Sequence, residues 1–424
     1  MFMVQKPIVI IGGGVIGLFS AYYLLEAGEK VIVIDKSSGD EGCSFGNAGM
    51  VVPSHFIPLA SPGMIEKGLK WMLDSESPFY VKPRISLELL KWGLQFYKNS
   101  NQKHVDRSVP LLRDLGLISK SLYHDLAEKL NYSYEEKGLI MYCKKQQTLD
   151  EEAHVAELAN KIGIEAKVLN KKAIHNLEPE IRPEVAGAVY FPGDAHLNPT
   201  ELIESLKKFL IERGVVIKYN SELINIQSAG EEITTLEILN NEQKETLQVG
   251  KVVLAAGSWS GVLGKLLKLN LPMQAGKGYS VSKTQLPNKE IFIPNILVEA
   301  RVAITPMSGK FVRFGGTMEI GGLDSTINMN RVRGIIKSVP EFFPDYSLDL
   351  PKKEEVWYGF RPCSPDGLPY IGDSGVYKNL FINTGHAMMG ISLAPASGKL
   401  ISQKILGKKT EMDLDGFSAQ RFGN

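Results

Sequence analysis

Gly12, Gly14 and Gly17 form a GxGxxG pattern within PIVIIGGGVIGLFSAYYLLEAGEKVIVIDK, and an acid, Asp35, follows eighteen residues after Gly17. Each residue type suits contact with a dinucleotide. Gly12 permits a tight turn, Gly14 lets the backbone approach a pyrophosphate, and Gly17 allows a helix to pack closely on a strand. The N–H groups that open this helix, those of Val15 and Ile16 among them, offer the positive end of the helix dipole to the phosphates. A carboxylate at Asp35, with Lys36 beside it, accepts hydrogen bonds from an adenosine ribose.

That chemistry needs elements in a fixed order. The apolar run Ile8–Ile11 predicts a buried strand, residues 18–27 have helical composition, and Val31–Ile34 predicts a second strand ending at the acid. A signal peptide or membrane span is the competing reading of a long apolar segment after Lys6. Four glycines by Gly17, then Ser20, Tyr22 and Tyr23, argue against it.

With 424 residues the chain is long for one hydrophobic core, which predicts two joined domains. Lys plus Arg (48) nearly cancels Asp plus Glu (47) and no long basic run occurs, which argues against a nucleic-acid partner. Cys43, Cys143 and Cys363 are odd in number and lack metal-ligand spacing. They predict a reducing, cytoplasmic compartment with no disulfide framework and no metal site.

Further along, SSGDEGCSFGNAGMVVP predicts a loop returning to the nucleotide. Residues 64–73 and 85–97 predict helices carrying Trp71, Trp92, Phe96 and Tyr97, and residues 111–130 and 151–162 predict two more. A strand is expected within 138–145, another in GAVYF, and a helix opening at Pro199 and closed by Gly214. KVVLAAGSWSG at 251–261 is again a strand running into a glycine turn. Short strands alternate with polar turns over 271–350, and α/β character returns in the last seventy residues. The expected fold class is α/β with an α+β second domain. Residues 1–80, 195–270 and 355–424 form a discontinuous Rossmann-like nucleotide domain, and 81–194 with 271–354 form a substrate domain.

The first motif alone leaves NAD and FAD as competitors. Three later segments bear on the choice: Ala255-Ala256-Gly257, FRPCSPDGLPYIGDSG at 360–375 and NLFINTGHAMMGISLAPASGKLI at 379–401. Each joins an apolar strand to small residues that let the backbone lie against an extended ligand. With GGGVIGL, SFGNAGMVVP, LAAGSWS, GKGYSVS and VRFGGTMEI they carry a resemblance along nearly the whole chain. The sequence resembles the D-amino-acid oxidase superfamily of FAD-dependent oxidoreductases, and most closely its D-amino-acid dehydrogenase branch.

The resemblance implies noncovalent FAD extended through the nucleotide domain and a second domain built on a mostly antiparallel sheet. It assigns the pyrophosphate turn to Gly12, Gly14 and Gly17, and the ribose acid to Asp35, where this superfamily commonly has Glu. Ser44, Asn47, Ala48 and Gly49 match the loop passing the pyrophosphate and flavin. Ala256, Gly257 and Trp259 match a second nucleotide contact, and Gly385, Gly390, Ile391, Ser392 and Leu393 match the flavin edge. Arg361, Tyr279 and His386 are the candidates for catalytic contact. Arg361 matches an arginine that pairs with the substrate carboxylate, its alternative being a salt bridge to Asp366. His386 is read as a flavin neighbour rather than a base, and Tyr279 either reaches the cavity or packs in the second domain. Glu319 is read as a sheet-surface carboxylate, Cys43 as a small loop residue, and Cys363 as unattached to FAD.

The expected reaction is oxidation of an amino acid, in the first place a D-amino acid, by hydride transfer from Cα to flavin N5. The product is an imine and then a 2-oxo acid. Electrons are expected to pass to a quinone or another respiratory carrier. The alternatives are an oxygen-using oxidase for glycine, sarcosine or D-proline that forms hydrogen peroxide, and a NAD-dependent Rossmann dehydrogenase. Core packing is the favoured role of the aromatic helices, with peripheral contact to the cytoplasmic face of a membrane as the other reading.

Overall fold

In the computed structural model, which describes residues 6–40, 42–72 and 76–423, the first strand, Ile8–Ile11, lies inside a six-stranded sheet. The order is Val216–Lys218, Val31–Ile34, Ile8–Ile11, Lys251–Leu254, Leu380–Thr384 and Tyr370–Asp373, parallel except for the last pair. Both faces are covered, which is why these strands read as unbroken apolar runs. Ile8 and Ile10 point to a helical layer, whereas Val9 and Ile11 point to an antiparallel three-stranded meander spanning Ser221–Ala229, Glu232–Asn240 and Gln243–Gln248.

The helical layer contains Val15–Glu26 and Gly390–Ile405 in close contact. Gly398 permits that approach, because a Cβ there would lie 2.7 Å from the Phe19 backbone. Pro395 lacks the N–H that would bond Ile391 O, and the buried Tyr123 hydroxyl donates to that carbonyl instead, at 2.6 Å. The first turn of this helix is thereby tied to the long helix Gln102–Leu130.

The second sheet has nine strands and is mostly antiparallel. From one edge run Trp357–Cys363, Gln274–Thr284, Phe311–Ile320, Val302–Met307, Asn295–Leu297, Leu139–Cys143, Gly187–Phe191 and Lys167–Leu169, with Phe79–Val81 pairing beside Phe311–Ile320. Helix Met329–Phe342 packs one face through Val332, Ile335 and Ile336 against Tyr279, Val281 and Phe314.

Several local expectations shift. Trp357–Cys363 belongs by its hydrogen bonds to the large sheet, so the chain rejoins the nucleotide sheet at Tyr370 rather than at residue 355. The helix expected over 111–130 begins at Gln102, because Pro110 is accommodated inside it. The helix expected over 64–73 is Met64–Trp71, and Leu73 lies outside the described residues.

Candidate active site

Ile8–Ile11, Lys251–Leu254 and Leu380–Thr384 are adjacent and parallel, so the three glycine-bearing turns that follow them meet at one sheet edge. The strand order reverses between the first two, which makes this the crevice where ligands bind in open α/β sheets. The glycines divide their work as their spacing predicts. Gly12 has φ +114°, and a Cβ on it would run into the Ala255 carbonyl. A Cβ on Gly17 would strike the Gly12 carbonyl, so this residue sets the helix–strand approach. Gly14 is open, its nearest atom being Ser44 Oγ at 3.9 Å. Such an open backbone suits the approach of an extended pyrophosphate, and it lies at a helix start whose N-cap glycine has no side chain.

Asp35 Oδ2 accepts from Gly13 N–H at 2.6 Å, and Oδ1 accepts from Ser37 N–H at 2.8 Å, which orients the acid at the end of its strand. Lys36 Nζ sits 4.5 Å from the Trp259 ring centroid, joining two predicted contacts. Ser44 Oγ accepts from Val15 N–H at 3.3 Å, and Asn47 Oδ1 accepts from Gly49 N–H at 2.8 Å. Gly49 and Gly385 have φ of +70° and +82°, and Gly257, at +53°, meets nothing within 4 Å. Ser392 Oγ accepts from Val52 N–H at 2.9 Å, which ties helix Gly390–Ile405 to the segment that follows the SFGNAG loop. These contacts form a path from Asp35 through the glycine turn and the 44–52 segment to the start of helix Gly390–Ile405.

Arg361 lies where that path meets the large sheet. Its Nη1 donates to Thr317 O, and its head group rests on Gly278, near the Cys43 and Cys363 thiols. Burial holds the guanidinium below its ordinary pKa. The alternative partner is taken: Arg421 Nε and Nη2 hold the buried Asp366 carboxylate at 2.7 and 3.0 Å. Among the described residues no carboxylate lies within ion-pair distance of Arg361.

Other candidates are redirected. Tyr279 does not accompany Arg361. Successive strand residues face opposite ways, so Gly278 and Ser280 face Arg361 and the SFGNAG loop, while Tyr279 faces the helix-covered core. Its hydroxyl donates to Glu319 Oε2 at 3.3 Å and accepts from Asn328 N–H at 3.2 Å. Glu319 is not a surface carboxylate either; it is buried with Lys277 Nζ 3.2 Å away. His386 is buried and shares a 2.9 Å hydrogen bond with Ser397 Oγ, and burial pushes its pKa down to about 3, so it stays neutral. The Cys43 thiol is tied to Phe360 by 3.0 Å contacts to the backbone N–H and carbonyl, and burial pushes both it and Cys363 up to about 11.

Two contributors escaped the sequence reading. Arg313 Nη1 reaches from the large sheet to Phe45 O and Asn47 O, at 3.0 and 2.7 Å, and fastens the SFGNAG loop. The buried Asp194 accepts from Ser54 N–H at 3.2 Å and from Ser54 Oγ, bracing the next stretch of that loop. Neither carries a local signal, because an arginine in a strand and an acid in a turn are ordinary until their partners are known.

Comparison with known proteins identifies the family. Residues 7–404 match the DAO family, described as FAD dependent oxidoreductase. A D-amino acid dehydrogenase of Helicobacter pylori is 30% identical over 399 residues, 94% of each chain. One of Vibrio atlanticus is 31% identical over 430 residues, 98% of this chain and 99% of its own. Among solved structures, glycine oxidase from Geobacillus kaustophilus superposes with a TM-score of 0.78 at 24% identity, covering 99% of both chains. The NAD alternative falls with the family match. The chain belongs to the DAO family of FAD-dependent oxidoreductases.

Proposed function

We propose that the protein oxidises the Cα–N bond of a D-amino acid and passes the electrons to a respiratory acceptor. The observation that carries this reading is Arg361, a half-buried guanidinium beside the glycine turns with no carboxylate partner among the described residues. A half-buried cation without a counter-charge is costly, and a substrate carboxylate would complete it through two parallel hydrogen bonds. Cα is then fixed in orientation, which is the main service this chemistry asks of the protein. Bound FAD supplies the acceptor for the Cα hydride, and the imine hydrolyses to a 2-oxo acid and ammonia, or stays cyclic for a proline-like substrate. Neutral His386 holds Ser397 and takes no proton, so the amine enters in its neutral form. We assign FAD to the path from Asp35 through Gly14, Ser44 and Gly257 to the 390–393 turn, without a covalent bond to Cys363.

The relatives named D-amino acid dehydrogenase support the substrate class and a non-oxygen acceptor. A second observation bears on where that acceptor is met. Helix Leu87–Asn99 buries Trp92, and packs Phe96, against Met318 and Cys363, but its other side exposes Leu87, Leu90, Leu94 and Tyr97 at helical spacing, continued by Ile85. Lys91 and Lys98 are exposed along the same side. This composition suits an anionic lipid surface, and we read it as a peripheral membrane face. No helix among the described residues is long and apolar enough to cross a membrane. The deciding experiment is anaerobic flavin reduction with a panel of D- and L-amino acids, followed by oxygen or a soluble quinone. Fast reduction by D-amino acids and fast reoxidation by quinone is the expected pattern. Reoxidation mainly by oxygen, with hydrogen peroxide formed, would favour the oxidase alternative, and no reduction by any amino acid would end the reading.

A further inference from the structure

The strand that carries Arg361 does not by itself hold the head group. Between Gln274–Thr284 and Phe311–Ile320 the pairing slips: Lys277 faces Glu319 and Tyr279 faces Gly316, so Thr317 and Met318 both stand opposite Gly278. This is a β-bulge, a device that re-aims groups near active sites. At its centre Thr317 is buried with φ +69°, a left-handed conformation that a β-branched residue rarely adopts. Strain of this kind persists only where the surroundings over-determine it. Its consequence is visible: the turned Thr317 carbonyl accepts from Arg361 Nη1. On the other side a Cβ on Gly278 would overlap Nη1, Nη2 and Cζ together, so the guanidinium lies flat on a bare backbone.

We propose that Gly278 and the Thr317 bulge are positioning elements that hold the Arg361 guanidinium for a substrate carboxylate, and so set the enzyme's selection for substrates that carry one. The proposal rests on the reading of Arg361 given above. One N–H committed to Thr317 fixes the orientation of the guanidinium plane, and four donors remain for the ligand. Gly278 leaves that plane unobstructed. Neither position needs to touch the substrate.

The test compares D-alanine with D-alaninamide, which lacks the carboxylate, by kcat/KM and by anaerobic flavin reduction. Loss of the oriented fork in Gly278→Ala should lower the preference for the acid roughly ten- to a hundredfold, chiefly through KM, with FAD content unchanged. Thr317→Gly keeps the carbonyl and relieves the left-handed strain, so it should keep the preference within about threefold and not lower the melting temperature. If Gly278→Ala holds FAD and keeps the wild-type preference while Arg361→Ala loses it, the cradle is wrong and the role of Arg361 stands. If Arg361→Ala also keeps the preference, the fault lies in the proposed function itself. Should Gly278→Ala fail to fold alone, the Gly278→Ala/Arg361→Ala double variant removes the overlap and should recover FAD binding; a double variant that still fails would overturn the cradle.

Discussion

Replacing Arg361 by Met should separate function from stability. The guanidinium would give a substrate carboxylate two charge-assisted hydrogen bonds, each worth about 1.5–3 kcal/mol, and Met gives none. Allowing for water that fills part of the gap, a net loss of about 3–4 kcal/mol corresponds to roughly a 10²–10³-fold fall in kcat/KM. The folded protein tells a different story. Arg361 is half-buried, its pKa is lowered by desolvation, and its hydrogen bond to Thr317 O is not backed by any carboxylate among the described residues. Losing that charge-assisted hydrogen bond costs about 1.5–3 kcal/mol, while removing a half-buried charge that lacks a carboxylate partner returns a comparable amount. The unbranched Met side chain fills most of the vacated volume between Gly278 and Cys363. Arg361→Met should therefore melt within a few degrees of the parent, as about 1 kcal/mol would dictate for a chain of this size. Stopped-flow reduction of the bound flavin under anaerobic conditions, together with thermal melts and flavin-to-protein ratios, reads both quantities. A loss of about 3 kcal/mol or more in stability would mean that Arg361 already has a counter-charge, and the argument for a substrate carboxylate would fail with it.

Arg421→Ala should act in the opposite sense. It strands the Asp366 carboxylate, whose side chain is 2% exposed, and should cost about 3–5 kcal/mol, measured by denaturant unfolding. The buried His386 adds an acid-side dependence. Its folded pKa of about 3 lies below the unfolded value of 6.5, so its contribution is complete above 6.5 and drains as pH falls toward 3, by about 1.4 kcal/mol per unit. Asp194, raised to about 7 by burial, acts with the reverse sign, losing its contribution as pH rises through that value. The difference between parent and His386→Gln cancels Asp194, and melts from pH 7 to 4 should show the variant losing less; equal slopes would contradict a neutral buried imidazole. Leu90→Glu with Leu94→Glu should abolish co-flotation with anionic vesicles while leaving melting temperature and solution turnover near parental values. Unchanged flotation would remove the membrane face.

Local physics made part of this protein legible from its residues alone. The packing roles of Gly12 and Gly17 follow from residues on one turn, because a Cβ at either position would meet another stretch of backbone. The AAG and TGHAMMG turns were recognisable for the same reason. Arg361 was identifiable as a residue, but whether it was free was not: Asp366 lies five residues away in sequence, and only the fold brings Arg421 from the C-terminus to claim it. Tyr279 shows the same limit, since the face a strand residue takes depends on which sheet receives it. The Thr317 bulge, the bare Gly278 beneath the guanidinium and the clasp of Arg313 on the SFGNAG loop depend on pairings between strands far apart in the chain. Sequence determined a nucleotide turn because a turn is local. Tertiary structure decided which charge was left without a partner, because that is a property of everything packed around it.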